Sequence, residues 1–188
     1  SSGSKPGIGF KLLATASLII AFVQISLGGF VRTSASGLGC PDWPLCHGEL
    51  VPSFDFHTLI EYSHRMTGTI LGLLVIVLII LTLVFHRRNQ ILLGLSFAAL
   101  ALVTIAGLLG GITVLTELVW WIRLVHLSVA QLLIATLALI IWNSMDLTES
   151  NLVSESSHFG WKWKAVTSIV IVFVLILSGS YMVGVGAS

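Results

Sequence analysis

Long apolar runs, separated by short polar segments, extend through the 188-residue chain. Five runs of at least 20 residues contain no Asp, Glu, Lys or Arg: Leu12–Val31, Met66–Phe85, Ile91–Thr116, Leu124–Met145 and Ala165–Ser188. Roughly 20 apolar residues suffice for a helix to cross a bilayer, so each run predicts a transmembrane helix. The second and fourth helices are expected to begin earlier, near Thr58 and Leu118. No run shows the period-two alternation of membrane β-strands.

The predicted fold class is an all-α membrane protein, with a four-helix transmembrane bundle of two repeated hairpins and a fifth transmembrane helix. An N-terminal tail, whose first residues resemble a cleavage remnant, precedes the bundle. A linker separates the bundle from the fifth helix, which we interpret as the start of a possible second half. The expected boundaries are residues 1–9 for the tail, 10–145 for the bundle, 32–57 for its long loop, 146–160 for the linker and 161–188 for the fifth helix.

Composition narrows the classes further. The chain is 56% hydrophobic and 9% charged, with a mean hydropathy of +1.03, whereas a soluble domain carries about 25% charged residues. Disorder is excluded because apolar residues dominate. The net charge is +1, and no basic stretch is available to neutralise phosphates, so we expect no nucleic-acid partner.

The distribution of positive charge predicts the orientation in the membrane. With a cytoplasmic N-terminus, six basic residues lie inside and three lie toward the outside. The inside set is Lys5, Lys11, Arg87, Arg88, Lys162 and Lys164, and the outside set is Arg32, Arg65 and Arg123. We therefore expect a multi-pass protein of the cell membrane, in contact with lipid, whose long loop is external.

The two hairpins repeat one pattern. Gly28-Gly29 ends the first helix and Gly110-Gly111 ends the third, while His64 and His126 lie near the outer ends of the second and fourth helices. Both copies run in the same direction, so the axis that relates them is expected along the membrane normal. The glycines have an alternative interpretation, since small residues let helices approach closely.

The two histidines lie at matched depth. If their helices begin near Thr58 and Trp120, each histidine lies about 9 Å along its helix at 1.5 Å per residue. Two imidazoles that face each other from parallel helices can bind haem iron axially, which makes His64 and His126 the predicted iron ligands. A zinc site would need a third ligand, and only Glu61 lies nearby. The alternative is two unrelated interfacial histidines bonded to carbonyl groups.

The ionisable residues around the histidines are also candidates. Glu61 precedes His64 by three residues and projects from the same helix face, where a carboxylate could accept protons or stabilise a cationic intermediate. Its alternative role is pairing with Arg65 or Arg123. These two arginines and Arg32 are possible partners for haem propionates, because guanidinium groups match carboxylates. Their alternative role is anchoring at the membrane interface.

Cys40 and Cys46 lie in the long loop, six residues apart. In an oxidising compartment they could form a small-ring disulfide. That bridge could be purely structural or redox-active, and the spacing does not decide between them.

Three segments in this order resemble haem A synthase: Leu27-Gly28-Gly29-Phe30-Val31-Arg32, Gly37-Leu38-Gly39-Cys40-Pro41-Asp42-Trp43-Pro44-Leu45-Cys46-His47-Gly48 and Ile60-Glu61-Tyr62-Ser63-His64-Arg65. The resemblance covers the first four helices and, weakly, the fifth. It implies a membrane oxidoreductase that oxidises the C8 methyl group of haem O to the formyl group of haem A, which serves terminal oxidases. It also implies that substrate haem lies between His64 and His126. The functional glutamate of the family matches Glu61, and its external cysteines match Cys40 and Cys46.

The chain departs from the full-length pattern of that family, because it has no second histidine pair for a permanent haem b. We expect either a half-size member that associates as a homo-oligomer or the front part of a longer protein. Haem O is the expected substrate and haem A the product, with haem b possible, and a haem O synthase and a terminal oxidase are possible partners. Two other classes stay open, a bis-histidine haem carrier or electron-transfer cytochrome b and, less favoured, a disulfide-generating quinone oxidoreductase.

Overall fold

A computed structural model describes residues 6–53 and 55–145, together with 167, 170, 171, 173–179, 181 and 182. The chain divides into two compact units, Ser1–Ser144 and Met145–Ser188. In the second unit, the described residues between 167 and 182 are helical and form a short fifth helix. The predicted linker, 146–160, lies outside the described residues.

The first unit contains four long helices within the described ranges: α1 (Ile8–Thr33), α2 (Phe56–Phe85), α3 (Gln90–Leu115) and α4 (Trp120–Ser144). Each is long and apolar enough to cross a membrane by length and composition. The part of the chain that the structure describes contains no β-strand. The predicted fold class is therefore confirmed.

Side-chain caps explain where α2 and α3 begin. The carboxylate of Asp55 accepts hydrogen bonds from the backbone N–H groups of His57 and Thr58, and the side chain of Asn89 accepts one from Leu92. Such caps satisfy N–H groups that the first turn of a helix leaves without partners. The cap at Asp55 starts α2 at Phe56, two residues before the predicted start.

The helices of the bundle form a ring. Among the described residues, α1 contacts α2, α2 contacts α3, α3 contacts α4, and α4 contacts α1. Helices α2 and α4 consequently lie across the bundle from each other. His64 and His126 thus belong to opposite helices, as a shared ligand between them requires.

The hydrophobic core lies toward the end of the bundle opposite the long loop. It comprises Phe10, Ala14, Ala21, Leu71, Val75, Leu78, Leu92, Ala99, Leu133, Leu137 and Ile140. In α2 and α4 these residues all follow the histidines by at least seven positions. Packing of this apolar half holds the helices in place, and the loop end of the bundle carries the polar and glycine residues described below.

One buried hydrogen bond joins α2 to α3 within the apolar half. The Thr82 and Ser96 hydroxyls lie 3.0 Å apart, and both side chains are fully buried. Each hydroxyl also lies 2.9 Å from the backbone carbonyl four residues earlier.

We expect Thr82→Val to lower the free energy of unfolding by about 0.6 kcal/mol, because measured hydrogen bonds between membrane helices average about that value. Thr104→Val is the matched control, since Thr104 is exposed on α3 and bonds only its own helix among the described contacts. A double-mutant cycle of Thr82→Val with Ser96→Ala, followed by unfolding in detergent, measures the coupling. A coupling energy of zero would contradict the prediction.

Candidate functional site

His64 packs against α1 at two positions one turn apart. A Cβ atom at Gly28 would lie 3.1 Å from Cε1 of the His64 ring, closer than side chains normally approach. The amide of Gln24 lies beside the ring, with its Nε2 atom 3.4 Å from Nε2 of His64. Gly28 therefore leaves the space that the imidazole occupies.

His126 packs against α3 in the same way. A Cβ atom at Gly110 would lie 3.5 Å from Cε1 of His126, and the backbone of Ala106, one turn earlier, also lies beside the ring. The first glycine of each pair thus faces the histidine of the next helix. The two imidazoles lie close enough for their charges to interact. The repeated sequence pattern therefore corresponds to a repeated contact between a glycine and a histidine.

Four polar side-chain atoms in this half of the bundle are buried without a hydrogen-bond partner among the described residues. They are Nδ1 of His64, Nδ1 of His126, Oε1 of Gln24 and Nε2 of Gln131. A buried polar group normally has a partner, so this concentration needs an explanation. Two imidazoles, each with an unpaired ring nitrogen, are the donor set that a bis-histidine haem requires. The residues present fit that group.

Glu61 and Arg65 form a buried lock between α2 and the long loop. The Glu61 carboxylate accepts hydrogen bonds from the Cys40 backbone N–H at 3.0 Å and from Arg65 Nη2 at 2.7 Å. Glu61 is only 3% exposed, and its charge therefore requires these partners. Of the two partners expected for Glu61, the structure has Arg65.

The Arg65 guanidinium also holds the loop backbone. It donates to the carbonyl oxygens of Cys40, Asp42 and Leu45 at 2.6–2.7 Å. These bonds engage both terminal nitrogens of Arg65 in the loop. Arg65, one of the three arginines predicted as possible partners of haem propionates, is thus already bonded to other oxygens.

The loop between α1 and α2, residues 34–55, is called the cysteine loop below. Cys40 and Cys46 form a disulfide in it, and both residues are buried, with exposures of 0% and 2%. Beyond the disulfide, the Asp42 carboxylate accepts the backbone N–H groups of Gly48 at 2.8 Å and His47 at 2.6 Å. These bonds, the one from Gly48 foremost, lower the pKa of Asp42.

This lowered pKa predicts an acid-sensitive cysteine loop. A carboxylate whose pKa is lower in the folded state stabilises that state above its unfolded pKa, and the contribution is lost as the pH falls through the folded value. We expect the backbone N–H groups of His47 and Gly48 to exchange with solvent more readily, relative to intrinsic rates, below about pH 4. Hydrogen exchange between pH 6 and pH 3 measures this, with Asp42→Asn as control. An equal pH response in that variant would contradict the prediction.

Arg32, in the last turn of α1, and Arg123, in the first turn of α4, both lie at the loop end of the bundle. Their positive charges are close enough to repel each other, and both side chains are only partly exposed. Two adjacent guanidinium groups attract a ligand with paired carboxylates, because the ligand offsets their repulsion.

Trp43 connects the cysteine loop to the second hairpin. A Cβ atom at Gly111 would lie 2.7–2.8 Å from the Trp43 indole, so the ring rests directly on the α3 backbone. Gly37 of the same loop lies similarly against the Leu118 side chain, which follows α3. Gly111 is therefore in contact with a residue of the cysteine loop. Gly29, its counterpart in the first hairpin, has no such neighbour among the described residues.

Comparison with known proteins supplies the family. The model of a family described as cytochrome oxidase assembly protein matches residues 11–188. The chain belongs to this family. The resemblance found in the three sequence segments is therefore confirmed at the level of the family.

Curated proteins similar to this chain include haem A synthases. The protein from Alkalihalophilus pseudofirmus is 27% identical over 175 residues, which cover 92% of this chain and 58% of the relative. The protein from Exiguobacterium sibiricum is 33% identical over 148 residues, which cover 75% and 49%. The chain spans about half the length of the curated relatives it matches. Together with the four apolar helices, the family establishes a multi-pass membrane protein.

Sequence reasoning missed three members of the site. Gln24, Asp42 and Trp43 were not singled out, although they contact His64, the loop backbone and Gly111 respectively. A signal existed for Gln24, because an amide within an apolar span is costly and usually has a function. The contact of Trp43 had no comparable signal.

Proposed function

We propose that this chain forms a haem site of a haem A synthase, in which His64 and His126 would bind the iron. The observation that carries this proposal is the pair of partly buried imidazoles on opposite helices, each packed on a glycine and each with a buried Nδ1 atom that has no partner among the described residues. Family membership adds the reaction, since the curated relatives are haem A synthases. The proposed N-terminus is cytoplasmic, and the proposed cysteine loop is external.

The proposed substrate is haem O, whose C8 methyl group becomes the formyl group of haem A. Arg32 and Arg123 are the proposed partners of the propionates, because these two cations lie together at the loop end of the bundle. Arg65 is not included, since its guanidinium already binds three loop carbonyls and Glu61.

The conversion of a methyl group and one water molecule to a formyl group releases four protons and four electrons, so the reaction requires a base for the protons and a separate electron acceptor that the described residues do not supply. A carboxylate near the reacting edge suits the removal of protons. Glu61 is the proposed acceptor, because it lies one turn before His64 on α2. Its hydrogen bonds to Cys40 and Arg65 fix the direction of the carboxylate.

A second candidate, a bis-histidine haem carrier or cytochrome b, has one observation in its favour. The lock between Glu61, Arg65 and the cysteine loop gives both the glutamate and the loop a structural task without any reaction. The quinone oxidoreductase class gains no such support. Cys40 and Cys46 are both buried, and thiol–disulfide exchange requires an accessible cysteine.

The test uses the full chain in cells that make haem O but lack a haem A synthase. We expect the purified protein to contain haem and the cells to gain formyl haem, measured by a pyridine haemochrome spectrum and chromatography of the extract. His64→Ala and His126→Ala are expected to abolish both. If the protein binds haem but the extract contains only haem b, the carrier function is favoured over the synthase function. If the protein contains no haem, the proposal of the histidine pair fails.

The role of Glu61 requires its own comparison. We expect Glu61→Gln to lower formyl haem at least 100-fold while haem binding persists, because positioned acid–base groups contribute about 10²–10⁴ in rate. Arg65→Met is the matched control for a purely structural effect on the loop. Equal losses of activity in both variants, with equal losses of bound haem, would show that Glu61 acts only by holding the loop together with Arg65.

A further inference from the structure

Gln24 is a partly buried residue of α1 whose side-chain amide lies between two positions on one face of α2. Its Nε2 atom lies 3.4 Å from Nε2 of His64, and a Cβ atom at Gly68, one turn further along α2, would lie 2.9 Å from the same amide nitrogen. Gly68 therefore provides the space in which the Gln24 amide reaches the imidazole. This amide and the Gly28 backbone hold His64 from the α1 side.

The Gln24 residue contacts the His64 ring through both its side chain and its backbone. The direction of the bond between the two Nε2 atoms depends on which ring nitrogen carries the proton. The Nδ1 atom of His64 and the Oε1 atom of Gln24 are both buried without partners among the described residues. Two polar atoms of neighbouring side chains are thus unsatisfied, which is costly unless a ligand supplies partners.

The repeat distinguishes the two histidines at this point. Gln24 lies four residues before Gly28, and the residue four before Gly110 is Ala106. The backbone of this residue bonds the histidine ring in both hairpins, and His64 has the side-chain amide of Gln24 beside it as well. His64 and His126 therefore differ in one neighbouring side chain, although their surroundings are otherwise similar.

We propose that Gln24 is a positioning residue for His64, which it orients as the more firmly held ligand of the pair. The amide serves both states of the ring, because its nitrogen donates to a bare imidazole nitrogen and its oxygen accepts an imidazole N–H. A histidine that binds metal normally donates its other N–H to such an acceptor, and loss of that partner lowers metal affinity about 10–100-fold. This inference rests on the proposed function, since it assigns His64 to iron.

The first experiment uses the full haem-free chain, labelled with ¹⁵N-histidine, in detergent at one fixed pH. We expect Gln24→Leu to shift the ring nitrogen resonances of His64, assigned by their absence in His64→Ala, and to leave those of His126 unchanged. Asn143→Leu is the matched control, because it removes another amide of the bundle, whose Nδ2 atom donates to the Leu139 carbonyl of its own helix. That variant is expected to shift neither histidine.

The second experiment adds haem b to the same proteins. We expect Gln24→Leu to release haem at least 10-fold faster than both the original chain and Asn143→Leu, and to change the electron paramagnetic resonance spectrum of the low-spin iron. Unchanged His64 resonances together with equal release rates would overturn the role of Gln24. Failure of the original chain to bind haem would instead overturn the proposed function, and the ¹⁵N spectra would still decide whether Gln24 bonds His64.

Discussion

Replacing Arg65 with methionine is expected to lower the free energy of unfolding by about 3–5 kcal/mol, which is the usual cost of leaving one partner of a buried ion pair. The variant loses the ion pair with Glu61 at 2.7 Å and the bonds to three loop carbonyls. The carboxylate of Glu61 then keeps only the Cys40 N–H among these partners. Unfolding in detergent, followed by circular dichroism, measures the loss.

Two further variants sharpen this prediction. Arg87→Met removes an exposed arginine at the other end of the bundle and is expected to change stability by less than about 0.5 kcal/mol. Adding Glu61→Gln to Arg65→Met removes the uncompensated charge, so the double variant should be more stable than Arg65→Met alone. A double variant that is less stable would show that the unpaired carboxylate is not the source of the loss.

Replacing Gly28 with valine is expected to remove most haem binding, lowering affinity at least 10-fold. Even a single Cβ atom there would lie 3.1 Å from the His64 ring, and the further methyl groups of valine need space that the ring occupies. Overpacking a filled site typically costs about 1–3 kcal/mol, enough to displace a ligand side chain.

The neighbouring glycine provides the matched control for this substitution. A Cβ atom at Gly29 would have no neighbour within 4 Å among the residues that the structure describes, so Gly29→Val should keep haem binding close to that of the original chain. Titration with haem b, followed by its Soret absorption, compares the two variants. Equal losses at both positions would attribute the effect to the helix and not to His64.

The elements that the sequence predicted well are those with a local signal. The uncharged runs predicted α1 to α4 to within a few residues, since a span needs a fixed apolar length. The repeat of a glycine pair and a histidine in each hairpin was also visible in the sequence, because equal steps along similar helices reach equal depth, whereas the contact between histidine and glycine was not predicted. Both features depend on positions along one element and its copy.

The cysteine loop shows what the sequence could not provide. Glu61 had two plausible arginine partners, and only the path of the loop backbone brings Cys40, Asp42 and Leu45 to Arg65. That path depends on which carbonyl groups turn inward, which no periodic pattern encodes. The sequence alone therefore did not distinguish Arg65, which binds the loop backbone, from Arg32 and Arg123.

The contact between Trp43 and Gly111 also bears on the order in which the protein forms during synthesis. The two residues are 68 positions apart, so Trp43 leaves the ribosome well before the α3 backbone on which it rests. Chains are made at about 5–20 residues per second, which gives an interval of roughly 3–14 seconds. During that interval the first hairpin has no second hairpin to support its loop. Trp43 therefore gains its contact with the α3 backbone only when the second hairpin arrives, whereas the bonds of Arg65 to the loop lie within the first hairpin.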